Sequence, residues 1–349
     1  MIQRMDVRRR LFAIGVAGAS FVTVLGASAP VRAQAPTFAG KTFTIVVPTG
    51  PGGSYHLYAQ VIQRNMSKHL PGHPTVILQN RPAAGGAAAA QYMMQNAPKD
   101  GTVIAEATAG TITDPLFRPL GYDASKFLWL GTVAARDYSI AVLKPSAVKS
   151  LDDLRRTEIT VGTTGVTSAG YFVPQFINSA LGTKMKPISG YGSGGDINLA
   201  MERGELDGRG SYYSGFSIRK DWIDQDKLRF LISIGPRNPI LKDVPHMRDL
   251  ITPGTAIAKM YELLELNFNV GQAFYAPPGV PDATMAVLRD AFAKMAHDPQ
   301  TQESAMRAAL DWEPASADAV TAALQSGLAA AEPDVIKGLS KILGGPAAN

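Results

Sequence analysis

The sequence predicts an α/β fold divided into two lobes, and three observations carry that expectation. Short β-type runs alternate with Gly-rich loops and helical patterns along most of the chain. The length of 349 residues suits about two domains, each able to bury its own core. Hydrophobic content of 46% with 18% charged residues excludes wholesale disorder.

The elements follow in order. Thr42 to Val47 is a β-type run ended by Pro48, and Thr49 to Ser54 is a loop. Tyr55 opens a helix in which Tyr58, Ile62 and Met66 recur every fourth residue until Pro71-Gly72. A strand over Thr75–Gln79 leads through Arg81–Gly86 into an Ala-rich helix over Ala87–Gln95. Val103 to Ala107 is the third strand, followed by the small-residue loop Thr108–Thr111. After Leu128–Val133 and a short helix over Leu151–Arg156, Ile159–Gly162 reads as a strand and Thr163–Ser168 as its loop. A helix containing Pro174 begins near Ala169. Lys186–Ser189 leads into Gly190–Gly195, a helix over Ile197–Arg203, and a strand beginning at Leu206–Gly208. Leu228–Ile234 is a strand; Asp282 caps a helix over Ala283–Ala296, and helices follow at Gln302–Leu310 and Ala317–Ala331. Strands alternating with helices predict mainly parallel sheets.

The net charge of +5 points at first to an anionic macromolecule. Its location removes that reading. Arg4 and Arg8–Arg10 precede an apolar, small-residue run from Leu11 to about Ala29, and small-x-small sites end at Ala33 and Ala35. That order is a secretory signal peptide over residues 1–35. Its five Arg and one Asp carry +4, so the remaining chain is near +1. No nucleic-acid partner is expected, and the exported protein is expected to be a monomer. With no Cys there is no thiol nucleophile, disulfide, lipobox or Cys-ligated metal.

The Gly-rich loops carry the functional signal. Where a strand turns into a helix, unpaired N–H groups and the helix dipole favour carboxylate or phosphate. Gly52-Gly53-Ser54, Gly85-Gly86, Gly110-Thr111 and Thr167-Ser168 repeat that chemistry, with Ser54 suited to an N-cap. A Walker-type loop, a Gly-x-Ser-x-Gly elbow and a His-Glu-x-x-His pair are all absent from the sequence. His69 and His73 are separated by Pro71-Gly72 and read as a solvated turn, and no metal or cofactor is expected. His56 stands at the mouth of the first loop, where it either meets an anionic ligand or is a partly exposed helix residue.

Phe43–Ser54, Gln79–Gly86, Ala97–Thr102, Gly190-Tyr191, Gly204–Asp207, and Asp243–Pro245 ahead of Ala276–Gly279 together resemble the Bug family, the substrate-binding proteins of tripartite tricarboxylate transporters. The resemblance covers the whole chain after the leader. It implies a type II periplasmic binding protein fold whose two lobes close on a small carboxylate and deliver it to membrane subunits of the transporter, without catalysis. It implies lobe one at about 37–138 plus 266–349 and lobe two at about 139–265. The first loop departs from the family pattern at Thr49-Gly50 and Tyr55-His56. The expected site comprises Thr49, Gly52, Gly53, Ser54, Tyr55 and His56 of that loop, Ala84, Gly85 and Gly86 of the second, and Thr108, Gly110 and Thr111 of the third. Thr163, Thr167, Ser168, Ala169, Tyr191, Arg209 and Ser211 face them from the other lobe. Arg209 either holds a second carboxylate or forms a salt bridge, and Tyr55, Tyr191 and Tyr212 either flank a planar ligand or pack in the core. A sensory protein using the same closure, or an enzyme using Ser54 with His56, are the alternative functions.

Overall fold

A computed structural model describes residues 36–329 and 331–344; the expected export signal lies outside them. The chain begins β1 (Thr42–Val47), α1 (Ser54–Met66), β2 (Thr75–Asn80), α2 (Ala87–Gln95), β3 (Val103–Glu106), α3 (Gly110–Phe117) and β4 (Leu128–Thr132). It crosses to β5 (Tyr138–Leu143), α4 (Leu151–Arg156), β6 (Ile159–Thr163), α5 (Ala169–Leu181), β7 (Met185–Ser189), α6 (Gly194–Glu202), β8 (Gly208–Ser211), α7 (Tyr213–Ser217), α8 (Lys220–Asp224), β9 (Leu228–Ile234) and α9 (Met247–Leu250). The return runs through α10 (Ala256–Val270) into β10 (Ala273–Ala276), α11 (Asp282–His297), α12 (Pro299–Arg307), β11 (Ala315–Ser316), α13 (Ala317–Ala329) and α14 (Pro333–Leu343).

Two sheets result, ordered β11-β4-β10-β3-β1-β2 and β7-β6-β8-β5-β9. They are mixed rather than mainly parallel. β1 pairs in parallel with β2 and β3, and β6 with β7 and β8, wherever a strand–loop–helix unit returns to the same side. β5 and β10, the strands entered by the two crossings, pair antiparallel with both neighbours. Because β5 is buried along almost its whole length, Tyr-Ser-Ile-Ala-Val-Leu shows no alternation to mark it on sequence.

Each sheet packs apolar side chains against its helices. Phe43, Ile45 and Val47 of β1 meet Tyr58 and Ile62 of α1 and Phe292 of α11. Ile140 and Val142 of β5 meet Phe172 and Phe176 of α5. Each such side chain contributes about 1.5–3 kcal/mol on burial. Tyr138 opens β5 of the second sheet, α10 runs unbroken through residues 265 and 266, and α14 packs on α5, α10 and α3. His69 is not a solvated turn residue: its Nε2 lies 3.1 Å from the Asp298 carboxylate. Asp282 is the first helical residue of α11, with Pro281 at the N-cap.

Candidate functional site

The loops after β1, β2 and β3 face those after β6, β7 and β8, and they touch. Gly50 N–H donates to Gly192 O at 2.8 Å, and Thr167 Oγ1 donates to Ala84 O. Gly110 is required at this contact, since an added Cβ would stand 1.8 Å from Thr167 O. Gly85, at φ +69°, is equally constrained: a Cβ there would meet Ser168 N at 2.6 Å.

These loops enclose a small cavity with about 60 Å³ of room for water. Two helices of 13 residues begin at its wall, α1 with Gly53 and α5 with Ser168 at the N-cap, and neither has a side-chain cap. Ser54 is thus not the expected N-cap but the first helical residue, which leaves its hydroxyl uncommitted to capping. Gly53, Ser54 and Tyr55 on one side, and Ser168, Ala169 and Gly170 on the other, border the cavity. Their first-turn N–H groups and helix dipoles make both walls electropositive.

Arg209 borders the same space from β8 and is 6% exposed. Its Nη1 donates to Gly194 O at 2.8 Å and to Asn198 Oδ1 at 2.6 Å; Nη2 donates to Ser211 Oγ at 2.9 Å. All three acceptors are neutral, and among the described residues no acidic side chain borders the cavity. Burial brings the Arg209 pKa down to about 10, so the guanidinium stays charged at neutral pH. Arg209 Nε, Thr49 Oγ1 and Tyr138 Oη are buried around the cavity with no partner among the described residues. Unmet polar atoms of this kind are costly unless a ligand or water satisfies them. Two carboxyls buried in the first lobe, Glu106 and Asp114, have no hydrogen-bond partner among the described residues. Burial pushes Glu106 well above the usual carboxylate range against the pull of Arg136, and burial pushes Asp114 up to about 7.

Of the residues expected here, Thr49, Gly53, Ser54 and Tyr55, then Gly85 and Thr108, border the cavity from the first sheet's loops; Thr163, Ser168, Ala169, Arg209 and Ser211 do so from the second's. The others stand behind them. Gly52 is exposed, and Gly86 is the left-handed N-cap of α2 against Thr108. Ala84, Gly110 and Thr167 form the loop contacts described above, and Thr111 Oγ1 accepts from Thr108 N–H at 3.0 Å. Tyr191 packs on the apolar cluster around Ile197 and Trp222. His56 faces the Asn80 and Gln60 amides at 3.1 and 3.2 Å, and burial lowers its pKa. Since Asn80 Nδ2 donates to Thr49 O at 2.6 Å, His56 Nδ1 must accept from it. Ser54 Oγ accepts instead from Arg136 at 3.1 Å, so the Ser54–His56 couple an enzyme would need is not formed.

Sequence reasoning missed Tyr138, which borders the cavity from the start of β5, Gly194 and Ile197 at the start of α6, and Arg136, which stands behind the wall and donates to Ser54. Arg136-Asp137 gives no motif on sequence, whereas the Gly-rich run before Asp196 does mark the α6 terminus.

The family described as "Tripartite tricarboxylate transporter family receptor" matches residues 58–337. The chain belongs to this family. A UPF0065 protein of Bordetella bronchiseptica is 26% identical over 287 residues, 79% of either chain. Among solved structures, the periplasmic binding protein BugD superposes with a TM-score of 0.69 at 21% identity, covering 86% of this chain and 97% of BugD. MatC from Rhodopseudomonas palustris, with bound malate, gives a TM-score of 0.67 at 19% identity, covering 86% and 98%. The Bug-type receptor fold, two lobes each with its own sheet, is therefore the fold of this family member.

Proposed function

We propose that this receptor captures a small organic carboxylate between its lobes and delivers it to the membrane subunits of a tripartite transporter. The observation that carries the ligand class is Arg209, a buried guanidinium at the cavity with only neutral partners. A carboxylate accepts bidentate hydrogen bonds from such a group, and the cavity-side termini of α1 and α5 offer further donors. Malate bound in the structurally similar MatC is in keeping with this chemistry.

Capture proceeds without a chemical step. The ligand meets the Gly53–Tyr55 and Gly85 walls, and the Thr163–Gly170 and Arg209 walls close on it from a lobe spanning about 139–265. Closure removes water and so strengthens each polar contact. The closed surface is what the membrane subunits receive. Residues 1–35 serve as a cleaved export signal that places the receptor in the periplasm, where it acts as a monomer.

A thermal-shift screen against aliphatic mono-, di- and tricarboxylates and aromatic acids tests the reading. At least one carboxylate should raise the melting temperature in a concentration-dependent way. A shift produced only by neutral sugars or cations overturns the ligand class.

A further inference from the structure

Arg136 lies outside the cavity wall, yet it touches that wall on both sides. It sits in the connection from β4 to β5, and its N–H donates to Phe268 O of α10, the return connection, at 3.2 Å. The side chain is 2% exposed. Its Nη2 donates at 3.1 Å to Ser54 Oγ, on the first helix of one lobe, and at 3.1 Å to Ser214 Oγ, on α7 of the other. The guanidinium stacks 3.4 Å from the centre of the Tyr212 ring, with Tyr55 and Tyr58 at 5.0 and 5.1 Å. Tyr55 Oη in turn donates to Tyr212 Oη at 3.2 Å, a second link between the same helices.

A guanidinium has five donors and no acceptor, and it does not lose its charge in proteins. Ser54 must therefore accept from it, which leaves the single hydroxyl proton of Ser54 to be given elsewhere. Ser54 donates to no protein acceptor among the described residues, and it borders the cavity.

We propose that Arg136 is a positioning residue of the capture site, holding the Ser54 hydroxyl as a donor toward a ligand oxygen and tying it to Ser214 across the lobes. One side chain on the interlobe connection thus sets both a ligand contact and the closed arrangement. The inference rests on the carboxylate reading for its first half and on the observed bonds alone for its second.

The test pairs R136M, R136K and S54A with the double variant R136M/S54A. Titration calorimetry with malonate, succinate, L-malate and adipate reads the first half. For the tightest of these acids, S54A should lose about tenfold in affinity and R136M at least as much. The double variant should lose no more than R136M alone, because both changes remove one coupled contact. R136K, which keeps a cationic donor, should retain part of the affinity. Losses that multiply in the double variant, or wild-type affinity in R136M, overturn the proposal. Hydrogen exchange in the uncomplexed proteins reads the second half. R136M, or R136K if R136M does not fold, should speed exchange at Ser54–Tyr58 and Ser214–Ile218 while β2 and β7 exchange as in wild type. Unchanged exchange at those two segments overturns the tie. Failure of all four acids to bind wild type counts against the carboxylate reading, and the exchange result still decides the tie.

Discussion

At the scale of single residues, Arg209 and Asp114 make separate predictions. Arg209 stays charged at neutral pH although burial lowers its pKa to about 10, so carboxylate affinity should be flat from pH 6 to 8. Replacing it in R209M removes charge-assisted hydrogen bonds of about 1.5–3 kcal/mol, a loss of about ten- to a hundredfold in affinity by calorimetry. Among the described residues Arg209 forms no salt bridge, the alternative left open on sequence, and its neighbours Asn198 and Ser211, brought in by α6 and β8, are neutral. Asp114 titrates the other way. Burial raises its folded-state pKa to about 7 from an unfolded value near 3.9. The folded state then holds more protons than the unfolded state between those values, so stability falls as pH rises from about 4 to 7. Melting curves from pH 4.5 to 8 should show that fall, and D114N should flatten it. An equal slope in D114N would remove Asp114 as its source.

At the scale of elements, the closed contact depends on glycines that sequence alone ranks with ordinary turns. Gly110 admits the carbonyl of Thr167, and a methyl group there would hold the loops after β3 and β6 apart. G110A should therefore weaken carboxylate binding by about tenfold or more, with a faster off-rate, while the sheets stay intact by circular dichroism. Binding unchanged in G110A would mean that the loops close differently. The strand–loop–helix units were legible because their periodicity and Gly-rich punctuation are local. β5 and β10 were not, since both are buried crossings whose partners are distant in sequence. The same reason hid Arg136. A buried cation is recognisable only once Ser54 and Ser214, 82 and 78 residues away, are brought beside it. Ser54 shows the limit from the other side, because its residue type was informative while its place within the helix was not.

At the scale of the whole molecule, two helix termini and the Arg209 guanidinium meet at one cavity between the lobes. Closure of the two lobes should be visible in solution. Small-angle scattering should record a smaller radius of gyration with a bound carboxylate than without, and G110A should reduce that change. The most direct test of the central claim is calorimetric titration of wild type and R209M with succinate, L-malate and adipate, alongside their neutral diamides. Wild type should bind at least one acid about a hundredfold more tightly than its diamide, and R209M should lose most of that preference. Equal affinity for acid and diamide, or an undiminished preference in R209M, would contradict capture of a carboxylate by Arg209.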